Sequence, residues 1–464
     1  MEKTFFAETA GAETATLLDA AGAGEMAAPV LRHSIVTGQW QLFRTRAATA
    51  GKPRCYMATK DTQLLTHELP ARLAEVSAKG RAKNPFDLIA RDGTPTETLC
   101  YSVAAVEQTP VDAWCEDFIA GDDSLAAADG NFADEAGVAV GPTAPLIRAF
   151  DNKFPMMAHA DSPDTPIEAG FVRGLHPQVS AIGRCEVVVM HWRFNWCAAL
   201  GTPAEGHAAW KAFARRFCAL ASDPRNAFIR LFENHGDKSG GSVPHSHAQL
   251  WGLPIIPREQ RVLYDIALAY AAAHGGKSVF DACVEDVVAG DGDGGSRILC
   301  SSDACVAFVP FVSERYNEMW VVPRGDAASS YFGDATPATL AAVADAVRIC
   351  LRMIYVMYGD PTYNVIVRTA PPPPLDAAHA AAAPERAALS AALATTYRWH
   401  IQIVPSVSIW SGVKTLGFIV GGREGLPEEQ AENLRSLESA PLPSSSLPAL
   451  AAVAQEDALR ASTM

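Results

Sequence analysis

Two short stretches share a pattern: His247-Ala248-Gln249-Leu250 and His400-Ile401-Gln402-Ile403 are both His-x-Gln plus an apolar residue, each soon followed by proline. Their surroundings match as well. Ahead of the first stand a β-branched run from Cys185 to Trp192 and then 203–221, whose apolar groups fall at helical spacing behind a proline. A strand-like run from Ala227 to Phe232 and a Gly-rich loop follow. Ahead of the second stand strand-like runs at 305–310 and 318–323, an amphipathic stretch over 336–358, the run from Tyr363 to Arg368, and a loop of prolines and alanines. A strand-helix-strand-loop-strand unit therefore occurs twice, which points to duplication. The fold class that follows is α+β: duplicated halves, each an antiparallel sheet with helices packed on one face.

A chain of 464 residues has room for two such halves. The expected division is a flexible lead-in over 1–30, a first half over 31–260 with a loop-rich insertion at 60–145, a second half over 261–426, and a helix with a flexible tail over 427–464. A second helix is expected at 258–274. Hydrophobic residues make up 49% and charged residues 19%, the balance of a folded chain with a sizeable core. The net charge of −14 argues against broad nucleic-acid or anionic-membrane binding, but leaves room for a nucleotide held by a few local donors. Ten scattered cysteines form no Cys-x-x-Cys pair, so reduced thiols in the cytoplasm are expected. No signal sequence or membrane-spanning run is evident, and Ser462-Thr463-Met464 matches a peroxisomal address only loosely.

The chemistry concentrates in Phe232-Glu233-Asn234-His235-Gly236-Asp237-Lys238-Ser239-Gly240-Gly241-Ser242-Val243-Pro244-His245-Ser246-His247-Ala248-Gln249-Leu250-Trp251. Gly236, Gly240 and Gly241 allow close backbone approach, so amide N–H groups can face an anion, and Ser242 adds a hydroxyl. On a strand, His245, His247 and Gln249 share one face. A neutral imidazole attacks phosphorus well and leaves well afterwards, so a nucleotidyl-histidine divides one difficult displacement into two easier ones. Gln249 can hold non-bridging phosphate oxygens. Without context a His-x-His is as readily a metal pair or a surface accident, and Trp251 and Phe232 are core residues by default.

The run resembles the galactose-1-phosphate uridylyltransferase family of the histidine-triad superfamily, whose signature is Phe-Glu-Asn-x-Gly, three residues, then Gly-x-Ser-x-Pro-His-x-His-x-Gln-x-Trp. The resemblance implies that His247 is the nucleophile, that Gln249 contacts the transferred phosphoryl group, and that Asn234, Gly240 and Ser242 line the phosphate site. It also implies histidine-triad-like halves and a homodimer. Arg32 to Leu42 resembles the family's opening segment, after which Arg46 and Lys52 are the nearest equivalents of its phosphate-binding cations. Asn152-Lys153-Phe154 resembles its segment near base and ribose. Tyr363-Asn364 and the run from Trp399 to Pro405 resemble the second half of the broader family, which includes adenylyl-transferring and phosphorylase members.

One departure concerns metal. Family members hold a structural zinc through a Cys-x-x-Cys pair, a histidine after the first long strand, and the first histidine of the active run. Here only His245 is evident: Cys55 stands alone and Phe194 falls near the other histidine's place, so no zinc or other cofactor is expected. His245 is then free to orient the loop or His247. The implied partners are a nucleotide-sugar or nucleotide and a sugar phosphate. UDP-glucose with galactose 1-phosphate leads. An ADP-sugar or dinucleoside-polyphosphate phosphorylase is the rival, and a catalytically inactive nucleotide-binding or scaffold protein is the alternative of another class.

Overall fold

Nine strands form one antiparallel sheet: β1 (Arg148–Asp151), β2 (Arg184–Val189), β3 (Phe228–His235), β4 (His247–Leu253), β5 (Ile298–Ser301), β6 (Cys305–Phe308), β7 (Met319–Pro323), β8 (Tyr363–Arg368) and β9 (His400–Pro405). The order across the sheet is β5-β6-β7-β9-β8-β3-β4-β2-β1. The computed structural model describes 196–290, 296–313, 315–358, 361–406 and 425–437, most of 147–191, and a few short stretches elsewhere, among them the strand pair Val30–His33 and Trp40–Phe43. The expected lead-in, most of the 60–145 insertion and the end of the tail lie outside the described residues.

The sheet is continuous because β3 pairs with β8, with Phe232 opposite Ile366 and Asn234 opposite Asn364. Outward from this joint, β4 flanks β3 and β9 flanks β8, then β2 and β7, then β1 and β6. Each strand carries two sets of side chains because successive residues point to opposite faces. On one face lie Val188, Ile229, Leu231, Ala248 and Leu250 of the first half, and Val321, Ile401 and Ile403 of the second, all buried.

Two long helices cover that apolar face. Helix α1 (Pro203–Ala221) starts where the sequence places it: Pro203 opens the first turn, and Thr202 and Glu205 form a capping box. Its Trp210, Phe213, Phe217 and Leu220 recur at helical spacing and are buried. Phe217 meets Phe332 edge-on with ring centroids 5.0 Å apart, and Phe332 meets Trp399 at 5.1 Å. These aromatic contacts bridge α1 to the second half of the sheet. The other long helix, Pro337–Tyr358, packs against α1 and strands β6 and β7. A buried ion pair also ties α1 to the sheet: Arg216 donates to both carboxylate oxygens of Glu186 on β2, at 2.8 and 2.6 Å.

The expectation that helices pack on one face needs correction. Helices α2 (Arg258–Ala273) and α3 (Val279–Ala289) lie over the opposite face of the second half, where Phe280 of α3 sits 4.9 Å from the His400 ring. The reason is chemical. That half presents Trp320 and His400 outward, stacked 5.1 Å apart, and both are buried. The first half presents His247, Gln249 and Asn234 there instead. A second correction concerns the loop of prolines and alanines, which contains two helices, Ala377–Ala382 and Pro384–Thr396.

Removing the Glu186 carboxylate strips Arg216 of two charge-assisted bonds and Arg184 of a contact at 3.2 Å. Glu186→Ala is expected to destabilise the fold by about 3–5 kcal/mol, with Glu186→Leu plus Arg216→Met recovering most of that loss. Urea unfolding of the three proteins checks this. A single variant within about 1 kcal/mol of the parent would show the pair to be energetically idle.

Candidate active site

Register fixes what stands beside His247. Ala248 is opposite Glu233 on β3 and Val188 on β2, and His247 is opposite Val189. One step beyond the Ala248–Glu233 pair puts Asn234 across from His247, with Asn364 of β8 next in the row. The next row on the same face holds Gln249, Phe232 and Ile366, and the one after it Trp251 and Arg230. His247 and Gln249 thus share a face, as their spacing predicts. Phe232 and Trp251 lie on that face too, edge-to-face at 5.4 Å and half-buried, rather than in the main core.

The Gly-rich loop closes over this row. Gly236 and Gly240 have φ of 80° and 87°, a region that favours glycine, and a one-turn helix, Asp237–Ser239, lies between them. A Cβ at Gly236 would stand 2.2 Å from Thr362, and one at Gly241 would stand 2.7 Å from the carbonyl oxygens of Asn234 and Gly236. Ser239 Oγ lies 2.7 Å from the carbonyls of His235 and Gly236, and Asn364 Nδ2 donates to Asn234 Oδ1 at 2.7 Å and to the Ser239 carbonyl at 3.0 Å. Gly240 and Ser242 are exposed at the mouth of the loop. The second half of the chain therefore braces the loop through Asn364, a part that sequence pattern alone did not assign to it.

His247 is nearly buried, and its Nδ1 lies 2.8 Å from the carbonyl oxygen of His245. A carbonyl only accepts, so Nδ1 carries the proton and the lone pair resides on Nε2. Burial lowers the pKa of His247 below the ordinary histidine value. Charge on His235 acts in the same direction, while the His245 carbonyl opposes them. The neutral, nucleophilic form is the favoured one. His235 is not a solvent-facing loop residue: it ends β3 and stacks on Tyr363 with centroids 4.6 Å apart.

His245 is turned inward, its Nε2 2.7 Å from the carbonyl oxygen of His191. His191 follows β2, and its own ring nitrogen lies 3.2 Å from Glu205 Oε1. Burial alone would raise the Glu205 carboxyl, but bonds from His191, Thr202 and Trp196 hold it well below the usual carboxylate range. The family's zinc does not fit His245 through Nε2, because a nitrogen donating its proton to a carbonyl offers no lone pair to a cation. Among the described residues no three His, Cys, Asp or Glu side chains gather as a metal set. Cys55 and Phe194 lie outside the described residues.

The remaining candidates divide. Gln249 and Asn234 share the face of His247, Gly240 and Gly241 pack beside Asn234, and Ser242 is exposed at the end of that loop, whereas His245, expected on the same face, is turned inward to the His191 carbonyl instead. Asn152 shares the His247 face but lies beyond β1, where its N–H donates to the Cys185 carbonyl, level with Trp251 and four residues along the strand from His247. That is roughly 13 Å along the strand direction, and two strands across as well. Arg46 and Lys52 lie outside the described residues. His400 repeats the His247 geometry, with Nδ1 3.0 Å from the Arg398 carbonyl, but is wholly buried, which pushes its pKa down to about 3. Its companion Gln402 accepts from Arg368 Nε at 2.7 Å.

A model of the galactose-1-phosphate uridyl transferase N-terminal domain matches residues 141–257, which span β2, α1, β3, the loop and β4. Over that stretch, about a quarter of the chain, the sequence is similar to the galactose-1-phosphate uridylyltransferase family. An ADP-glucose phosphorylase of Arabidopsis thaliana is 24% identical over 160 residues, 34% of this chain and 42% of that protein. A galactose-1-phosphate uridylyltransferase of Streptomyces lividans is 27% identical over 143 residues, 31% of this chain and 39% of that protein. The matched stretch thus spans less than half the length of either relative. In fold, the chain resembles a crystal structure of an Arabidopsis thaliana ADP-glucose phosphorylase with bound ADP-glucose. The TM-score is 0.56 at 18% identity, covering 88% of this chain and 99% of that one. A uridylyltransferase structure gives 0.52 at 18% identity, covering 65% of this chain and 88% of that one. No helix among the described residues is long and apolar enough to cross a membrane.

Glu233, from the same family run, points away from His247 to the helix-covered face, beside an apolar cavity of about 30 Å³ that Trp210 and Phe213 also line. Burial pushes its carboxyl up to about 7, against weaker lowering by His235, Ser246 and Tyr363. A carboxyl raised from 4.5 to about 7 favours the fold fully below pH 4.5, and that contribution is lost as pH rises through 7. The loss amounts to about 3 kcal/mol. Glu233→Gln is therefore expected to be more stable relative to the parent at pH 8.5 than at pH 5, by about that amount. Urea unfolding at both pH values checks it; an equal difference at the two would refute the assignment.

Proposed function

We propose that the chain is a nucleotidylyltransferase that carries a nucleoside monophosphate on His247. The observation that carries this reading is the His247 ring. Its proton is held on Nδ1 by a carbonyl of its own run, its neutral form is favoured, and it lies in one row with the loop-bracing pair Asn234 and Asn364. In the first step the Nε2 lone pair forms a bond to the nucleotide α-phosphorus. The bond to the bridging oxygen breaks, and a sugar phosphate departs with that electron pair. In the second step an oxygen of the acceptor phosphate forms a bond to phosphorus, and the N–P pair returns to Nε2. Gln249 is assigned to the non-bridging oxygens, and the amides of the 236–242 loop with Ser242 to the charge that develops in each transition state. Neither step calls on a metal.

Two substrate pairs are supported, each by a relative: UDP-glucose with galactose 1-phosphate, and an ADP-sugar with phosphate. The substrates lie over the first-half face of the sheet, with the phosphate at the His247 end and the nucleoside running toward Trp251 and Asn152. The active species is assigned as a homodimer, as the resemblance implies, acting in the cytoplasm, as the ten scattered cysteines suggest. We further read the sheet as a duplicated unit centred on the Phe232–Ile366 pair. The mirrored strand order supports this, as do the matching Nδ1 contacts of His247 and His400.

Incubation with UDP-glucose or an ADP-sugar, followed by peptide mass spectrometry, should find the mass of UMP or AMP on His247, and the nucleotide that labels identifies the donor. His247→Asn should abolish the label with the fold intact. Gln249→Ala should slow labelling by about 100-fold, the scale of losing one transition-state donor. Binding of both donors without label on either would overturn the transferase reading in favour of a nucleotide-binding protein, and labelling of His247→Asn would overturn the choice of nucleophile.

A further inference from the structure

The segment after β2 and the segment before β4 must be held together if His247 is to keep its ring fixed, and in this chain a buried carboxylate stands where they meet. We propose that Glu205, with His191 and Trp196, takes the place of the family's zinc as the anchor of His245, and through it positions the ring of His247. The kinetic readout of this inference rests on the nucleotidyl-transfer reading above.

The connection runs atom by atom. Nδ1–H of His247 donates to the His245 carbonyl at 2.8 Å, and Nε2–H of His245 donates to the His191 carbonyl at 2.7 Å. The His191 ring is held in turn by Glu205 Oε1 at 3.2 Å, and lies stacked on the Trp196 indole with centroids 5.5 Å apart and planes 11° from parallel. Trp196 Nε1–H donates to Glu205 Oε2 at 3.1 Å, and the Thr202 backbone N–H donates to the same oxygen at 2.8 Å. Glu205 thus uses both oxygens, one on the histidine and one on the indole and the first turn of α1. A backbone bond from Met190 N–H to the Ser246 carbonyl at 3.2 Å joins the same two segments.

The side chains of His191, Trp196, Glu205 and His245 are each 4% exposed or less. A carboxylate buried to that degree is tolerable only with its acceptor capacity filled, and three donors, one of them a histidine, fill it. The arrangement supplies what a structural zinc would supply, a fixed separation between two chain segments and a fixed tautomer on the histidine between them. A carboxylate, an imidazole and an indole do this at a position where His245 has no lone pair on Nε2 to give a metal. Glu205 and His191 touch no reacting atom and are positioning residues.

The test compares the parent with Glu205→Gln, which keeps the size of the side chain but replaces one acceptor by an amide. The single-turnover rate of His247 labelling is expected to fall about tenfold or more, with the Kd for the nucleotide-sugar within about twofold. In the free protein, the imidazole ¹⁵N–¹H correlation spectrum should lose the Nδ1–H signature of His247. Metal analysis of the parent should find no stoichiometric zinc, and chelator should leave labelling unchanged. One equivalent of zinc whose removal abolishes labelling would overturn the proposal, as would a Glu205→Gln protein with parental rate and an unchanged imidazole signature. Should Glu205→Gln fail to fold, Trp196→Phe keeps the stack and removes one bond to the carboxylate; a parental rate and signature there would overturn it equally. The spectrum needs no substrate, so a parent that never labels sinks the transfer reading while the anchor is still judged on its own.

Discussion

The pairing of β3 with β8 is the contact on which the rest of the structure depends. It makes one nine-stranded sheet of two sets of strands, with the Phe232–Ile366 pair at its centre. It also assembles the site across the joint. Asn364 reaches from β8 to Asn234 and to the Ser239 carbonyl, and Tyr363 stacks on His235. A loop of three glycines and exposed polar residues has little apolar area of its own with which to hold a shape. Its conformation is set by these bonds from the neighbouring strand and by backbone contacts too close to admit a side chain. The second half of the chain therefore helps to shape the first half's Gly-rich loop.

Strand alternation then divides labour between the faces. One face is apolar along both halves and is sealed by α1 and the Pro337–Tyr358 helix. The other differs between halves, and the two histidines meet different neighbours there. Around His247 the neighbours are Asn234 and Gln249, with the braced 236–242 loop beside them among the described residues. Around His400 they are Trp320, Phe280 and Tyr397, which bury the ring completely and hold it neutral to about pH 3. Two imidazoles with the same Nδ1-to-carbonyl geometry thus meet opposite environments. The same imidazole geometry therefore sits among polar neighbours in one half and among aromatic rings in the other.

What was legible in the sequence follows from how local the signal is. The helix at 203–221 reads directly from Thr202-Pro203 and its apolar spacing, and the shared face of His247 and Gln249 needs only a period of two. Helix Pro384–Thr396 was obscured by the prolines before it, although Pro384 at the first turn and a run of alanines are helix-forming features. The braces were not legible. Asn364 lies 130 positions from its partner Asn234, and nothing in either neighbourhood names the other. Glu205 reads as the third position of a capping box, a complete local explanation that hides its bonds to His191 and Trp196. The outward cover of α2 and α3 was missed because periodicity reports which side of a helix is buried and not which side of a sheet it covers.

The exchange of a metal for hydrogen bonds has a physical logic. A structural zinc holds its ligands by strong bonds of fixed length, and needs all of them; with one missing, little of the site's stability survives. A network of buried donors around a carboxylate makes a similar demand, because its bonds strengthen one another and each donor removed leaves buried acceptor capacity unfilled. Such a network also asks for different surroundings. It needs an apolar, water-excluding wall, which the stacked His191 and Trp196 rings provide, and a nearby source of backbone N–H groups, which the first turn of α1 provides through Thr202. Both are present here because α1 begins directly after the segment that follows β2. The capping residue of that helix is therefore within reach of the histidine that the catalytic run leans on, and one carboxylate serves the helix and the site together.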